Sequence, residues 1–282
     1  MSRRVILLGL VASLALVAVG VGVSFVPKMR AASNEVACAN NLREVAQFAA
    51  HHAVPKPDAA PGRFLHEIPA GTIALPNTPP ENRLSWVVRA LPGLNQKRQS
   101  SGPLLAAIDT AQPWPAERNQ RAARAKLVAV LCPGNPPDSD ADSPAPTQYV
   151  GVAGLGADAA ALVVPAPPAP APPRAGCYRY DAPTPFDAIT DGLSQTLLFG
   201  ERSADLGPWL RGGPATVRGF DDAAGAAVLV GAGGQFGGNH PAGANFAFAD
   251  GSVRLLTPRT DPKVLFALAT VAGKDTDLAP GE

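Results

Sequence analysis

The chain of 282 residues has no long block of charge of either sign, with 24 basic residues against 23 acidic ones and a formal net charge of +1. The basic stripe with which proteins neutralise phosphates is missing, so nucleic acid is not an expected partner. No Cys-x-x-Cys pair occurs. Cys38, Cys132 and Cys177 are widely spaced, which matches neither a zinc motif nor a redox dithiol, and a metal–cysteine site is not expected. In an oxidising compartment one pair can be bridged and one thiol left over, with all three pairings open; three small buried apolar residues are the other reading. Gly-x-Ser-x-Gly, His-Glu-x-x-His and the phosphate-binding Gly-x-x-x-x-Gly-Lys-Ser/Thr are also absent. His66-Glu67 runs into Pro69, which a metal-binding helix would not accommodate. Neither catalysis nor a cofactor is expected.

Proline (31) and glycine (28) are plentiful, about a fifth of the chain, which implies many turns and long loops on a modest sheet. Arg3 and Arg4 precede a run from Val5 to Val26 without a charged residue. As a helix it would extend about 33 Å, enough for a bilayer core. The competing reading is a cleavable signal peptide with a small-x-small site at Gly22-Val23-Ser24. The length of the run favours the anchor, because signal h-regions are shorter. Either way the rest of the chain is expected outside the cytoplasm. Pro27 would kink rather than end the helix, which continues amphipathically through Val36, Ala39, Leu42, Val45, Ala46 and Ala49.

Three units follow: an anchor over 1–27, an amphipathic continuation over 28–54 and a loop-rich head over 55–282. Within the head, 72–75 reads as a short strand, Leu84 to Leu91 as an apolar core segment and 118–130 as helix-compatible. The proline–alanine stretch 166–173 reads as extended or polyproline-like, a surface loop or spacer. Thr196 to Glu201 reads as a buried strand after the Asp191-Gly192 turn. Ala244–Ala249 and Ser252–Leu256 flank Asp250-Gly251, a hairpin signal. A two-residue turn there pairs Phe248 with Val253 and Phe246 with Leu255, putting those four on one face and Ala247 with Arg254 on the other. Thr260 or Asp261 then caps a short helix carrying Val264, Leu265 and Leu268.

Several of these stretches together resemble a bacterial pilin-like family known as domain of unknown function 1559. Cys38-Ala39-Asn40-Asn41-Leu42 is similar to the family's Cys-x-Asn-Asn-Leu segment, and Leu84 to Gln96 to its Ser-Trp stretch. Cys132-Pro133, Gln148-Tyr149-Val150-Gly151 and Ile189 to Glu201 follow in family order. The most specific element is His240, nine residues, then Asp250-Gly251. The resemblance marks Cys38, Asn41, Cys132, Asp191, Gly192, Glu201, His240, Asp250 and Gly251 as family-motif positions. It implies an α+β, pilin-like fold, a long N-terminal transmembrane helix packed on an antiparallel β-sheet with long loops. The family's usual start is Gly-Phe-Thr-Leu-x-Glu, whereas Gly9 to Leu14 here contains neither phenylalanine nor glutamate. The resemblance therefore does not extend to prepilin processing and filament assembly.

The resulting expectation is a non-enzymatic, single-pass protein of the cytoplasmic membrane. Its helix would sit in lipid, and its head would meet protein partners in the cell envelope in a structural, secretion-related or interaction role. An alternative is an exported ligand- or carbohydrate-binding module, secreted after signal cleavage. A third is a hydrolase using Ser194, His240 and Asp250 or Asp191, a set that triad geometry permits in any chain order. Asp138, Asp140 and Asp142 alternate like the start of a calcium loop, but Ser143 and Tyr149 stand where glycine and glutamate are needed, so a solvated loop is favoured. Adjacent His51 and His52 diverge on a helix and read as solvated.

Overall fold

The computed structural model describes residues 3–51, 53–55, 64–94, 101–138, 140–165, 167–221, 228–238, 240 and 242–273; for 4–12, 14–24, 53–55 and 64–65 only the backbone is described. The chain begins with helix α1 (Arg3–Ala50), which continues through Pro27. Among the described residues no helix is long and apolar enough to cross a membrane. The uncharged run falls almost wholly on residues described by backbone alone.

After α1 come β1 (Ala53–Pro55), β2 (Phe64–Ile68), α2 (Val87–Ala90), α3 (Ser101–Ala107), α4 (Glu117–Ala123) and β3 (Tyr149–Leu155). Then follow β4 (Thr184–Pro185), β5 (Leu197–Glu201), β6 (Val217–Phe220), β7 (Ala244–Phe248), β8 (Val253–Leu256) and α5 (Pro262–Ala269). The fold is α+β, as expected. The main sheet has the order β6-β3-β5-β7-β8 and is mixed rather than antiparallel, because β6 runs parallel to β3. A smaller sheet joins β1, β2 and β4.

Strand alternation explains the layering. On β7, Phe246 and Phe248 pack with Phe220, Leu265 and Ala269, while Ala247 joins Leu42, Val45, Ala46 and Ala49 of α1. The sheet thus lies between α1 and α5, both of its faces are buried, and β7 is buried at every position. The buried stripe of α1 is Cys38, Leu42, Val45, Ala46 and Ala49, spaced as one helix face requires. Val36, expected on that stripe, is 61% exposed. It lies two residues from Cys38, about 200° around the helix and so on the far side.

Four further expectations change. In the hairpin, Ala247 pairs Val253 and Phe246 pairs Arg254, one residue out of the expected register. The turn holds three residues rather than two: Gly251 N–H donates to Phe248 O, and Gly251 has φ +82°, so a turn is followed by a left-handed glycine. The slip puts Arg254 over the Phe248 ring, 4.1 Å from its centroid. No strand forms at 72–75, where Thr72 makes only an isolated bridge to Ser85. The helix expected over 118–130 stops at Ala123, because the carbonyls beyond its last turn are taken from outside: Ala145 N–H donates to Ala123 O and Trp209 Nε1 to Ala125 O. Residues 167–170 are exposed, as a surface loop requires, but Pro167 and Pro168 form a turn rather than extended backbone. The strand at β5 and the Asp261-capped helix α5 form where expected, Asp261 accepting from Lys263 N–H.

Candidate functional site

The family-motif positions fall into two groups. Cys38, Cys132, Glu201 and His240 come from four separate segments and place one donor atom each within 4.8 Å of one another, all buried. Helix α1 supplies Cys38. Cys132 follows the 3-10 turn Val128–Val130, which Asn41 ties to α1 by donating from Nδ2 to Val128 O and Leu131 O. Strand alternation puts Glu201, at the end of β5, on the face of Phe199, toward α1, and pairs it with Tyr149. His240 precedes β7 and bridges back to Gly243.

Cys38 and Cys132 form a disulfide, the one of the three open pairings that the fold selects. Cys177 is a buried free thiol, and burial pushes its pKa well up, so it stays protonated and inert. Against the sulfurs stand two ionisable groups. His240 Nε2 is 3.6 Å from Cys132 Sγ and 3.5 Å from Glu201 Oε1. Glu201 is 1% exposed and His240 8%. Asn245 fixes the carboxylate: its N–H donates to Oε2 at 2.7 Å, and its Nδ2 reaches both oxygens at 3.2 Å. A hydrogen bond to Glu201 raises the His240 pKa against the opposing effect of burial. Tyr149 closes the floor, donating its hydroxyl to Cys38 O at 3.0 Å, and burial together with Glu201 raises its pKa. Gly238 stands where a Cβ would come within 2.7 Å of Glu201 Oε2 and 2.8 Å of His240 Cδ2, so only glycine lets the loop pass.

The second group serves backbone. Asp191 Oδ2 accepts from Gly273 N–H, and Asp250 Oδ1 accepts from Ser252 N–H. Gly192 and Gly251 both have positive φ, as turns next to Asp require. Ser194 is exposed and its carbonyl accepts from Arg254. The structure therefore gives the members of the possible Ser-His-Asp set different partners. Asp138, Asp140 and Asp142 are not buried; Ser139 lies outside the described residues, as does His52.

A groove of about 840 Å³ is formed by α3 and α4, away from the cluster. Its Arg118 is spent on Ala106 O and Ala107 O, and Arg121 on Glu117.

A family model described as "Protein of unknown function (DUF1559)", SBP_bac_10, matches residues 27–233 and 228–263. The chain belongs to that family. No curated protein and no solved structure matches it. The DUF1559 match spans every residue of both groups. Sequence reasoning named Cys38, Cys132, Glu201 and His240 singly and missed that they meet. It also missed Asn245 and Tyr149, for which the only signal was their place beside motif residues.

Proposed function

We propose that this DUF1559 protein is a membrane-tethered, extracytoplasmic, pilin-like protein with a structural, secretion-related or interaction role and no catalysis. The observation that carries the reading is the division of labour along α1. Among the described residues of α1, the buried ones lie between Cys38 and Ala49, whereas residues 25–33 are exposed, with Phe25 60% and Met29 62% exposed. Exposed Phe25 and Val26 close the uncharged run Val5 to Val26, and exposed Met29 follows between Lys28 and Arg30, as expected of a helix leaving a bilayer at its charged boundary. The disulfide supports export, since such bonds persist in oxidising compartments.

The helix is the stalk and the mixed sheet the platform it presents. A ligand-binding module has less support, because the arginines of the groove at α3 and α4 are held by the protein's own groups. Fractionation with N-terminal sequencing tests the tether. The full-length chain should remain with membranes through a high-salt wash. A soluble species beginning near Phe25 would replace the tether with a cleaved signal.

A further inference from the structure

A disulfide is neutral and needs neither an acid nor a base beside it, yet a buried imidazole stands 3.6 Å from Cys132 Sγ and a buried carboxylate within 4.8 Å of both sulfurs. Burying two ionisable groups costs desolvation that the bridge does nothing to offset. Their geometry fits another partner. A zinc-class ion bonded to sulfur at about 2.3 Å and to nitrogen or oxygen at about 2.1 Å sets tetrahedral edges of about 3.6 Å from sulfur to nitrogen and about 3.4 Å from nitrogen to oxygen. The observed separations are 3.6 Å from Cys132 Sγ to His240 Nε2 and 3.5 Å from that nitrogen to Glu201 Oε1. The sulfur–sulfur edge, about 3.8 Å in such a tetrahedron, is forbidden by the covalent bond, and the remaining donor separations lie within 4.8 Å.

The geometry points to a second state of this cluster: in the dithiol form, Cys38, Cys132, His240 and Glu201 bind one zinc-class divalent cation as a closed, four-coordinate site. Two thiolates, an imidazole and a carboxylate form the mixed soft and borderline set that favours zinc over calcium or magnesium. The supporting shell is in place. Asn245 holds Glu201 most closely through Oε2, from N–H at 2.7 Å, while Oε1, which accepts from Asn245 Nδ2 at 3.2 Å, faces His240, and Tyr149 anchors the backbone at Cys38. The ligands come from four segments of the chain, which is why no Cys-x-x-Cys spacing announces them.

A dithiol reductant transfers two electrons and two protons to the bridge and itself closes to a disulfide, leaving two protein thiols. The cation then takes up both sulfurs as thiolates, and their two protons leave to solvent. Disulfide and metal exclude each other, and each ties α1 to the loop after the Val128–Val130 turn.

The test uses the full chain in detergent, reduced with a dithiol that is then removed without air, and Co²⁺ as the probe. The reduced chain should take up one Co²⁺ with the visible bands of tetrahedral cobalt and a thiolate charge-transfer band, all abolished by added Zn²⁺, while the oxidised chain should take up none. His240→Ala and Glu201→Gln should each weaken uptake about 100-fold or more. Zn²⁺ should also shield Cys38 and Cys132 of the folded, reduced chain from alkylation, with Cys177 as the internal control; this readout needs no variant to fold. A folded, reduced chain with no tetrahedral spectrum and no thiol protection would overturn the proposal. So would uptake that is unchanged in both His240→Ala and Glu201→Gln.

Discussion

The junction where α1 meets the sheet and the turns at Asp191 and Asp250 hold the family's motif residues in two different ways. At the junction, side chains from four segments converge on one another: sulfur on sulfur, imidazole on carboxylate, and carboxylate on Asn245. In the turns, each aspartate serves a nearby or passing backbone N–H and each glycine supplies a positive φ. The Asp250 turn is closed by its own residues, and the Asp191 turn adds one hydrogen bond to the passing backbone at Gly273. The junction is non-local, so removing one member strands the others. Motif residues of one family thus divide into those that shape a loop and those that join the stalk to the head.

Perturbations should separate the two regions by size. Removing the cross-link in Cys38→Ala/Cys132→Ala frees a loop of 94 residues' separation and should lower unfolding stability by about 4–5 kcal/mol, read from denaturant midpoints. His240→Ala leaves Glu201 buried with Asn245 as its side-chain hydrogen-bond partner among the described residues, and about 3 kcal/mol should be lost in the oxidised chain. Glu201→Gln should cost less, since the imidazole can stay neutral. At the turn, Gly251→Ala forces a side chain into φ +82° and should cost about 1 kcal/mol. Should Gly251→Ala match His240→Ala, the contrast between joint and turn fails. The smallest effect is the pH dependence. The folded-state pKa of His240 is raised, so the stability that the pair contributes is fully present below the unfolded histidine value of about 6.5 and is lost as pH rises through the folded value. Denaturant midpoints of the oxidised chain should fall across that window, and His240→Gln should remove the slope.

Local chemistry was legible in the sequence. Asp250-Gly251 placed the hairpin and Asp261-Pro262 placed α5, because turns and caps depend on adjacent residues. The register of the hairpin was not legible, since Asp-Gly suits both a two-residue turn and the three-residue turn that forms. The helical period and phase of α1 were readable through Leu42, Val45, Ala46 and Ala49, all buried; Val36 departs from that face, and Cys38, which faces inward to its bond with Cys132, was not read as part of it. The parallel pairing of β3 with β6 and the meeting of Cys38, Cys132, Glu201 and His240 rest on contacts between distant segments, for which a single chain carries no periodic signal.

The account turns on the claim that the junction, rather than the turns, fastens α1 to the head. Hydrogen exchange over residues 38–49 tests it most directly, comparing the oxidised protein with Cys38→Ala/Cys132→Ala and with Gly251→Ala. Protection there should fall sharply in the double variant and stay near the parent in the glycine variant. Equal protection in all three, or a greater loss in Gly251→Ala, would contradict the account.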